Sequence, residues 1–359
     1  MRLTLIYPAE TVASPLEEML ELQTVRGTRL FTRLRDERVR CELCERHCAL
    51  ANSEKGFCRT RINIGGQLYT LAYGDISAIS ANPIEKKPFF HYHPGTTALT
   101  FSSYSCNFSC PWCQNWDITR RVPDPSRSNY VDAQRMVEMA LSRGCRGLSV
   151  SFNEPTLLFE YCLDLFPVAR DSGLYLNFVS NGYMSEEALR MLRGAGMDAI
   201  KFDVKGDAEV YQRFCGGVDV GIVWRNARLA KEMGMHVEIV DLIVPNVNDD
   251  EGCIGWIVDE HIRNVGVETP LHFARYFPES TFTEPPTPVG VLEGAREVAR
   301  KAGVLYPYVG NVRGHRFEDT WCPRCGERLI ERFGFDVVEN HLTKGNKCPK
   351  CGNEVNVVA

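Results

Sequence analysis

From Ala98 onward the chain repeats one pattern, a short apolar run followed by an amphipathic stretch, at intervals of about thirty residues. The runs are TALTFSSYS, GLSVSFNEP, LYLNFVSNG, DAIKFDVKG, HVEIVDLIVP, TPLHFARYF and GVLYPYVGN. Helix-like periodicity fills the gaps over Val131–Arg143, Leu157–Asp171, Ser185–Gly194, Val220–Met233, Asp250–Asn264 and Val289–Lys301. Strands joined through a helix pair in parallel, so the alternation predicts an α/β fold: a parallel sheet closed partly or fully into a (β/α) barrel.

In such sheets chemistry collects at the C-terminal ends of the strands. The first run leads into SCNFSCPWCQNW, where Cys106, Cys110 and Cys113 are spaced C-x3-C-x2-C. The second ends in Asn153-Glu154-Pro155 and the third in Ser180-Asn181-Gly182. The fourth carries Lys201, Asp203 and Lys205, which share one strand face by the period of two. Three charges on one face of a buried strand are costly unless they pair with each other or meet a polar ligand. The three cysteines fit a [4Fe–4S] cluster, which takes one thiolate per iron and would here keep one iron open to a small molecule. The competing reading is three corners of a zinc site completed from elsewhere in the chain.

Cysteine usage supports metal chemistry. The chain has 15 cysteines in 359 residues, with 44% hydrophobic and 24% charged composition, ordinary for a soluble globular protein. No apolar run approaches the roughly 20 residues of a membrane helix. The start MRLTLIYPAET does not read as a secretory signal, so a cytoplasmic location is expected. In a reducing compartment these cysteines argue for metal or redox work and not for disulfides. Eleven fall in three groups: Cys41, Cys44, Cys48 and Cys58; Cys106, Cys110 and Cys113; and Cys322, Cys325, Cys348 and Cys351. Cys145, Cys162, Cys215 and Cys253 are scattered and read as buried apolar thiols.

The last group, CPRCG and CPKCG, has the knuckle form of a zinc ribbon, with Gly allowing the tight turn after each second cysteine. A terminal segment this short has too little core to fold unaided, and a bound zinc would supply folding free energy. The first group suits zinc or a second, fully ligated [4Fe–4S] cluster; zinc is the preferred reading, and His47 offers a nitrogen alternative. The formal charge is −5, and thiolate ligation would make it more negative, which disfavours general nucleic-acid binding. Locally Arg26, Arg29, Arg33, Arg35, Arg38 and Arg40 form a basic run, read as a solvated helix face.

With the cysteine loop and the strand ends in view, the chain resembles the radical S-adenosylmethionine (SAM) superfamily. It is most similar to the pyruvate formate-lyase activating-enzyme-like type, and within it to the AmmeMemoRadiSam system radical SAM branch. The resemblance rests on separated segments in order: NPIEKKPFFHYHPG, SCNFSCPWCQNW, FNEPTLLFEY, VSNGY, DVKG, VPNVNDD, VGNV and WCPRCG. It implies that Cys106, Cys110 and Cys113 hold the cluster and that SAM chelates the open iron. It implies that Asn153 and Glu154 stand where a Gly-Gly-Glu segment meets the SAM amino group. Asn181 stands where the family contacts the ribose or methionine portion. Asp203 and Lys205 match an Asp-x-Lys element, with Lys205 placed to meet a carboxylate. The chain departs from the family in having Ser105 where relatives often have Gly, and Phe152-Asn153 in place of Gly-Gly.

The resulting expectation is three regions: 1–96 with a helical, charged start and the four-cysteine motif, 97–315 as the barrel core, and 316–359 as the ribbon. The function read from it is reductive cleavage of SAM to a 5′-deoxyadenosyl radical and hydrogen abstraction from an unidentified protein or small-molecule substrate, fed by a low-potential electron donor. The loop QNWDITRR and the strand-end residues His272 and Arg275 border the expected substrate space, although these two lie on opposite strand faces and His272 reads better as a satisfied core histidine. His91 and His93 lie two apart with no assigned partners. An iron–sulfur electron carrier without SAM chemistry and a zinc-ribbon nucleic-acid scaffold are the alternatives.

Overall fold

All seven apolar runs become strands of one eight-stranded sheet in the computed structural model, which describes residues 15–359. In chain order the sheet strands are β1 (Ala78–Pro83), β2 (Thr97–Ser102), β3 (Gly147–Val150), β4 (Tyr175–Ser180), β5 (Ala199–Val204), β6 (His236–Ile243), β7 (Leu271–Arg275) and β8 (Pro307–Gly310). They lie in sequence order, all parallel from β2 to β8, with β1 antiparallel against β2. β1 and β8 are the edges, so the barrel is partial. The sheet thus takes its first strand from upstream of the expected 97–315 core.

The crossover helices are α1 (Ala133–Ser142), α2 (Phe159–Asp171), α3 (Glu186–Ala195), α4 (Ala208–Phe214), α5 (Val220–Glu232), α6 (Glu251–Val265) and α7 (Val289–Lys301). Each of five starts where a short polar side chain takes an orphan backbone N–H: Asp132, Ser185, Asp207, Asp219 and Asp250. The strands are almost wholly buried because helices cover one face and the barrel interior the other.

β1 carries the chain to the N-terminal mouth of the barrel, where Pro83 stands opposite Thr97. Residues 84–96, most of the NPIEKKPFFHYHPG segment, then cross that mouth as a floor. Glu238 of β6 anchors them. Its carboxylate accepts the backbone N–H groups of Phe90 (3.0 Å) and His91 (2.8 Å). It also accepts Nε2 of His236 (2.9 Å) and of His272 (2.7 Å). His272 is therefore a core histidine, as its sequence context suggested, held through Nε2 while its buried Nδ1 has no partner among the described residues. His91 donates through Nδ1 to the Asn356 carbonyl (2.8 Å), so its Nε2 accepts from the Tyr308 hydroxyl (2.7 Å). Burial pushes its pKa down to about 4, in keeping with that neutral tautomer. His93 stacks on Tyr175 with ring centroids 4.5 Å apart.

The C-terminal cysteine segment packs beneath this floor. Its strands Thr320–Trp321, Arg328–Phe333 and Asp336–Asn340 form an antiparallel sheet. Arg332 donates to the Phe90 carbonyl (2.7 Å), and Val358 pairs with the backbone of His91 and His93. In the N-terminal region the arginine run is not a helix. It lies on the strands Arg26–Gly27, Phe31–Arg33 and Val39–Cys41 and the turns between them. The reason is a period of two: Val39 and Cys41 are buried while Arg40 between them is exposed.

Candidate functional site

The loop after β2 brings Cys106, Cys110 and Cys113 to the rim of a cavity of about 510 Å³ inside the half-barrel. Ser105, just before the first cysteine, has φ +69°, which explains why glycine suits that position in the resembling family. Asn153 clamps the loop from the end of β3. Its amide donates to the carbonyls of Tyr104 (3.1 Å) and Ser105 (3.2 Å), and its oxygen accepts the Ser103 N–H (3.2 Å). Asn181, after β4, donates to Asn107 Oδ1 (2.7 Å) and lies 3.7 Å from Cys106 Sγ. Thr119 reaches Cys113 Sγ at 3.3 Å, and the Phe108 N–H points at Cys106 Sγ (3.4 Å).

Glu154 links the ends of β3 and β4. One oxygen accepts the Thr156 N–H (3.1 Å), the Thr156 hydroxyl (2.5 Å) and the Ser180 hydroxyl (2.8 Å); the other accepts the Asn181 N–H (2.9 Å). Burial raises its pKa against these four donors. Asn153, Glu154 and Asn181 all border the cavity, but their polar atoms are already engaged in holding the rim. The turn after β4 needs Gly182, at φ +74°, because a Cβ there would stand 2.5 Å from the Phe202 ring.

β5 presents Lys201, Asp203 and Lys205 to the same cavity. Lys201 and Asp203 form an ion pair, with Lys201 almost fully buried and Asp203 open to the cavity. Burial opposes charge on Lys205, but Asp203 and the sulfurs of Cys110 and Cys215 outweigh it and raise its pKa. Cys215, read from sequence as an inert thiol, lies with its sulfur 3.8 Å from Cys110 Sγ. Val179, Val240, Leu242 and Ala274 line the apolar part of the wall. Neither His272 nor Arg275 lines it: His272 is held at the floor, and Arg275 turns away to the Thr287 carbonyl (2.8 Å). Gln114, Asn115, Thr119 and Arg120 of QNWDITRR do border it.

One cavity residue escaped sequence reasoning. Lys87, from the floor segment, is 3% exposed and has no carboxylate partner among the described residues. Its ammonium sits 4.4 Å from the centroid of the Phe152 ring, a cation–π contact. Phe152 makes that contact from φ +70°, a left-handed conformation costing a bulky residue about 1–3 kcal/mol. This is the position where the resembling family carries Gly. Burial, then Lys86 and Lys201, pull the Lys87 pKa down to about 7.

In the C-terminal group, one ligand atom from each of Cys322, Cys325, Cys348 and Cys351 lies within 4.8 Å of all the others. Gly326 (φ +73°) and Gly352 (φ +71°) close the two knuckles.

The family description of the radical SAM superfamily matches residues 101–252, the stretch that carries the end of β2, the cysteine loop and β3 to β6. The chain belongs to the radical SAM superfamily. [4Fe–4S] and SAM chemistry come with that membership, and the three-cysteine loop on a cavity that also holds Asp203 and Lys205 fits both groups. Over 336 residues the radical SAM chain is 38% identical to the uncharacterized protein MJ0808 of Methanocaldococcus jannaschii, covering 93% of this chain and all of that one. Among solved structures it is similar to a domain of pyruvate-formate lyase-activating enzyme from Bacteroides vulgatus (17% identity, TM-score 0.40, 46% of this chain and 99% of that one). It is also similar to Streptococcus suis SuiB bound to S-adenosylmethionine (16% identity, TM-score 0.48, 60% of this chain and 52% of that one). Among the described residues no helix is long and apolar enough to cross a membrane.

Proposed function

We propose that this radical SAM chain cleaves SAM in the half-barrel cavity and uses the product to abstract hydrogen from a substrate seated above Lys87. The observation that carries the reading is the shared cavity: three cysteines at its rim, Asp203 and Lys205 on one wall, and on its floor a lysine with no carboxylate partner among the described residues. When bound, a [4Fe–4S] cluster with SAM on its open iron supplies one electron that splits SAM into methionine and a 5′-deoxyadenosyl radical. Cys106, Cys110 and Cys113 would hold the cluster. Lys205 takes the SAM carboxylate and Asp203 its ammonium, because a charge on each side of the methionine end fixes its orientation. Asn153, Glu154 and Asn181 act as positioning residues that keep the rim rigid. The apolar wall excludes water from the reacting carbon. Zinc in the C-terminal ribbon is structural in this reading, because four sulfurs so close together match a zinc tetrahedron.

Lys87 sets the substrate's polarity. A buried ammonium facing a cavity with only an aromatic ring as partner is best satisfied by an anionic group on the substrate, a carboxylate or phosphate. SAM and substrate are thereby assigned to different lysines. Lys205→Met in the anaerobically reconstituted protein is expected to weaken SAM binding about tenfold or more, and Lys87→Met by less than about threefold. Equilibrium dialysis with labelled SAM checks it. Equal losses in the two variants would remove the division of the cavity.

A further inference from the structure

Cys41, Cys44, Cys48 and Cys58 line one small, partly open hollow of about 10 Å³, room for a single water-sized sphere. Arg61 and Asn107 share its wall. The spacing of the sulfurs around it separates the two metals that four cysteines allow. A zinc tetrahedron has Zn–S bonds of about 2.3 Å and sulfurs about 3.8 Å apart, which leaves no room for a water-sized sphere between them. The C-terminal quartet is that tight, with Cys322 and Cys351 sulfurs 3.6 Å apart and Cys325 and Cys348 sulfurs 3.7 Å apart. Among the described residues neither the N-terminal quartet nor Cys106, Cys110 and Cys113 closes to that spacing. Wider spacing is what a cubane requires, since each thiolate binds a different iron.

Buried donors give a second, independent observation. Arg61 is 1% exposed; its Nη2 is spent on Glu160 (2.8 Å) and the Leu157 carbonyl (3.3 Å), while Nε and Nη1 have no acceptor. Asn107 Nδ2, also buried, has none either. Buried donors without acceptors are costly, and cluster sulfides would accept from them. His47 is not a competing ligand, because its ring pairs with Glu42 (2.7 Å) and Glu45 (2.9 Å).

We propose that Cys41, Cys44, Cys48 and Cys58 hold a second [4Fe–4S] cluster, in place of the zinc that the cysteine spacing favoured. It would lie against the Cys106 loop. Asn107 follows Cys106 directly, belongs to the hollow's wall, and receives Arg46 Nε on its carbonyl at 2.5 Å. The position suits a one-electron relay, a role that rests on the radical SAM reading above. A low-potential one-electron carrier reduces the cluster from 2+ to 1+. Passing that electron to the cluster on the Cys106 loop returns it to 2+.

The test is metal content of the full chain after anaerobic reconstitution, a measurement that does not depend on SAM turnover. About eight irons and one zinc per chain are expected, and Cys106→Ala/Cys110→Ala/Cys113→Ala should keep about four irons with the EPR signal of a reduced [4Fe–4S] cluster. About four irons with two zincs in the parent, or an iron-free triple variant that still folds, would overturn the site. In Cys44→Ser/Cys58→Ser, SAM cleavage driven by dithionite should persist while cleavage driven by a reduced flavin-carrier protein falls about tenfold or more. Equal rates with both reductants would overturn the relay. Should that variant fail to fold, the parent's metal count still decides the site.

Discussion

Glu238→Ala is expected to cost about 3–5 kcal/mol of stability, a large share of the 5–15 kcal/mol typical of a folded domain. The carboxylate gathers two backbone N–H groups of the floor and two imidazoles, all buried. Removing it strands four donors at once. Glu238→Gln keeps one acceptor oxygen but turns an N–H₂ group toward other donors, so an intermediate loss is expected. Burial alone would raise the Glu238 pKa, yet the hydrogen bonds from His236 and His272 hold it well below the ordinary carboxylate range. A carboxylate depressed in this way stabilises the fold above its unfolded pKa of about 4.3 and loses that contribution as pH falls below it. Urea unfolding at constant metal load measures the effect. A loss under about 1 kcal/mol in the alanine variant would mean that the floor is not anchored through Glu238.

Lys87→Met is expected to do the opposite and stabilise the substrate-free protein. The folded state holds the Lys87 pKa near about 7, against an ordinary value of 10.5. Between these values the unfolded chain binds the proton and the folded chain does not, so stability rises with pH across that window. Below pH 7 the buried charge costs its full amount. Methionine of similar length removes the cost, and a gain of about 2–4 kcal/mol at pH 6 should shrink toward zero near pH 10. Thermal or urea midpoints of both proteins at the two pH values check it. A gain independent of pH, or a loss at pH 6, would show that Lys87 is already satisfied in the unliganded cavity. A stability cost kept on a cavity floor is the signature of a group held for a ligand.

Much of this architecture is written in period and spacing. The seven parallel strands and six of their helices follow from apolar runs and helical periodicity, because a strand buried on both faces and a helix buried on one leave different patterns. α4 is missing from that reading: at seven residues it is too short to show a period. β1 is missing too, since Ala78–Pro83 is mixed and half exposed at a sheet edge. The cysteine loops declare themselves because metal ligands need fixed identities at fixed separations. What sequence could not supply is convergence across long separations. Lys87 reads as one of two adjacent lysines, and only the reversal of β1 under the barrel brings it to Phe152. The Arg run, taken for a helix face, is strand because its alternation has period two. Asn153, Glu154 and Asn181 fall at the cavity as their positions suggested, but their hydrogen bonds give them the work of bracing the rim.

The most direct measurement is SAM cleavage by the anaerobically reconstituted chain with a strong reductant, run beside Cys106→Ala/Cys110→Ala/Cys113→Ala. The cavity as described predicts 5′-deoxyadenosine from the parent and none from the triple variant. A parent that carries iron yet forms no 5′-deoxyadenosine under any reductant, or a triple variant that forms as much as the parent, would contradict it.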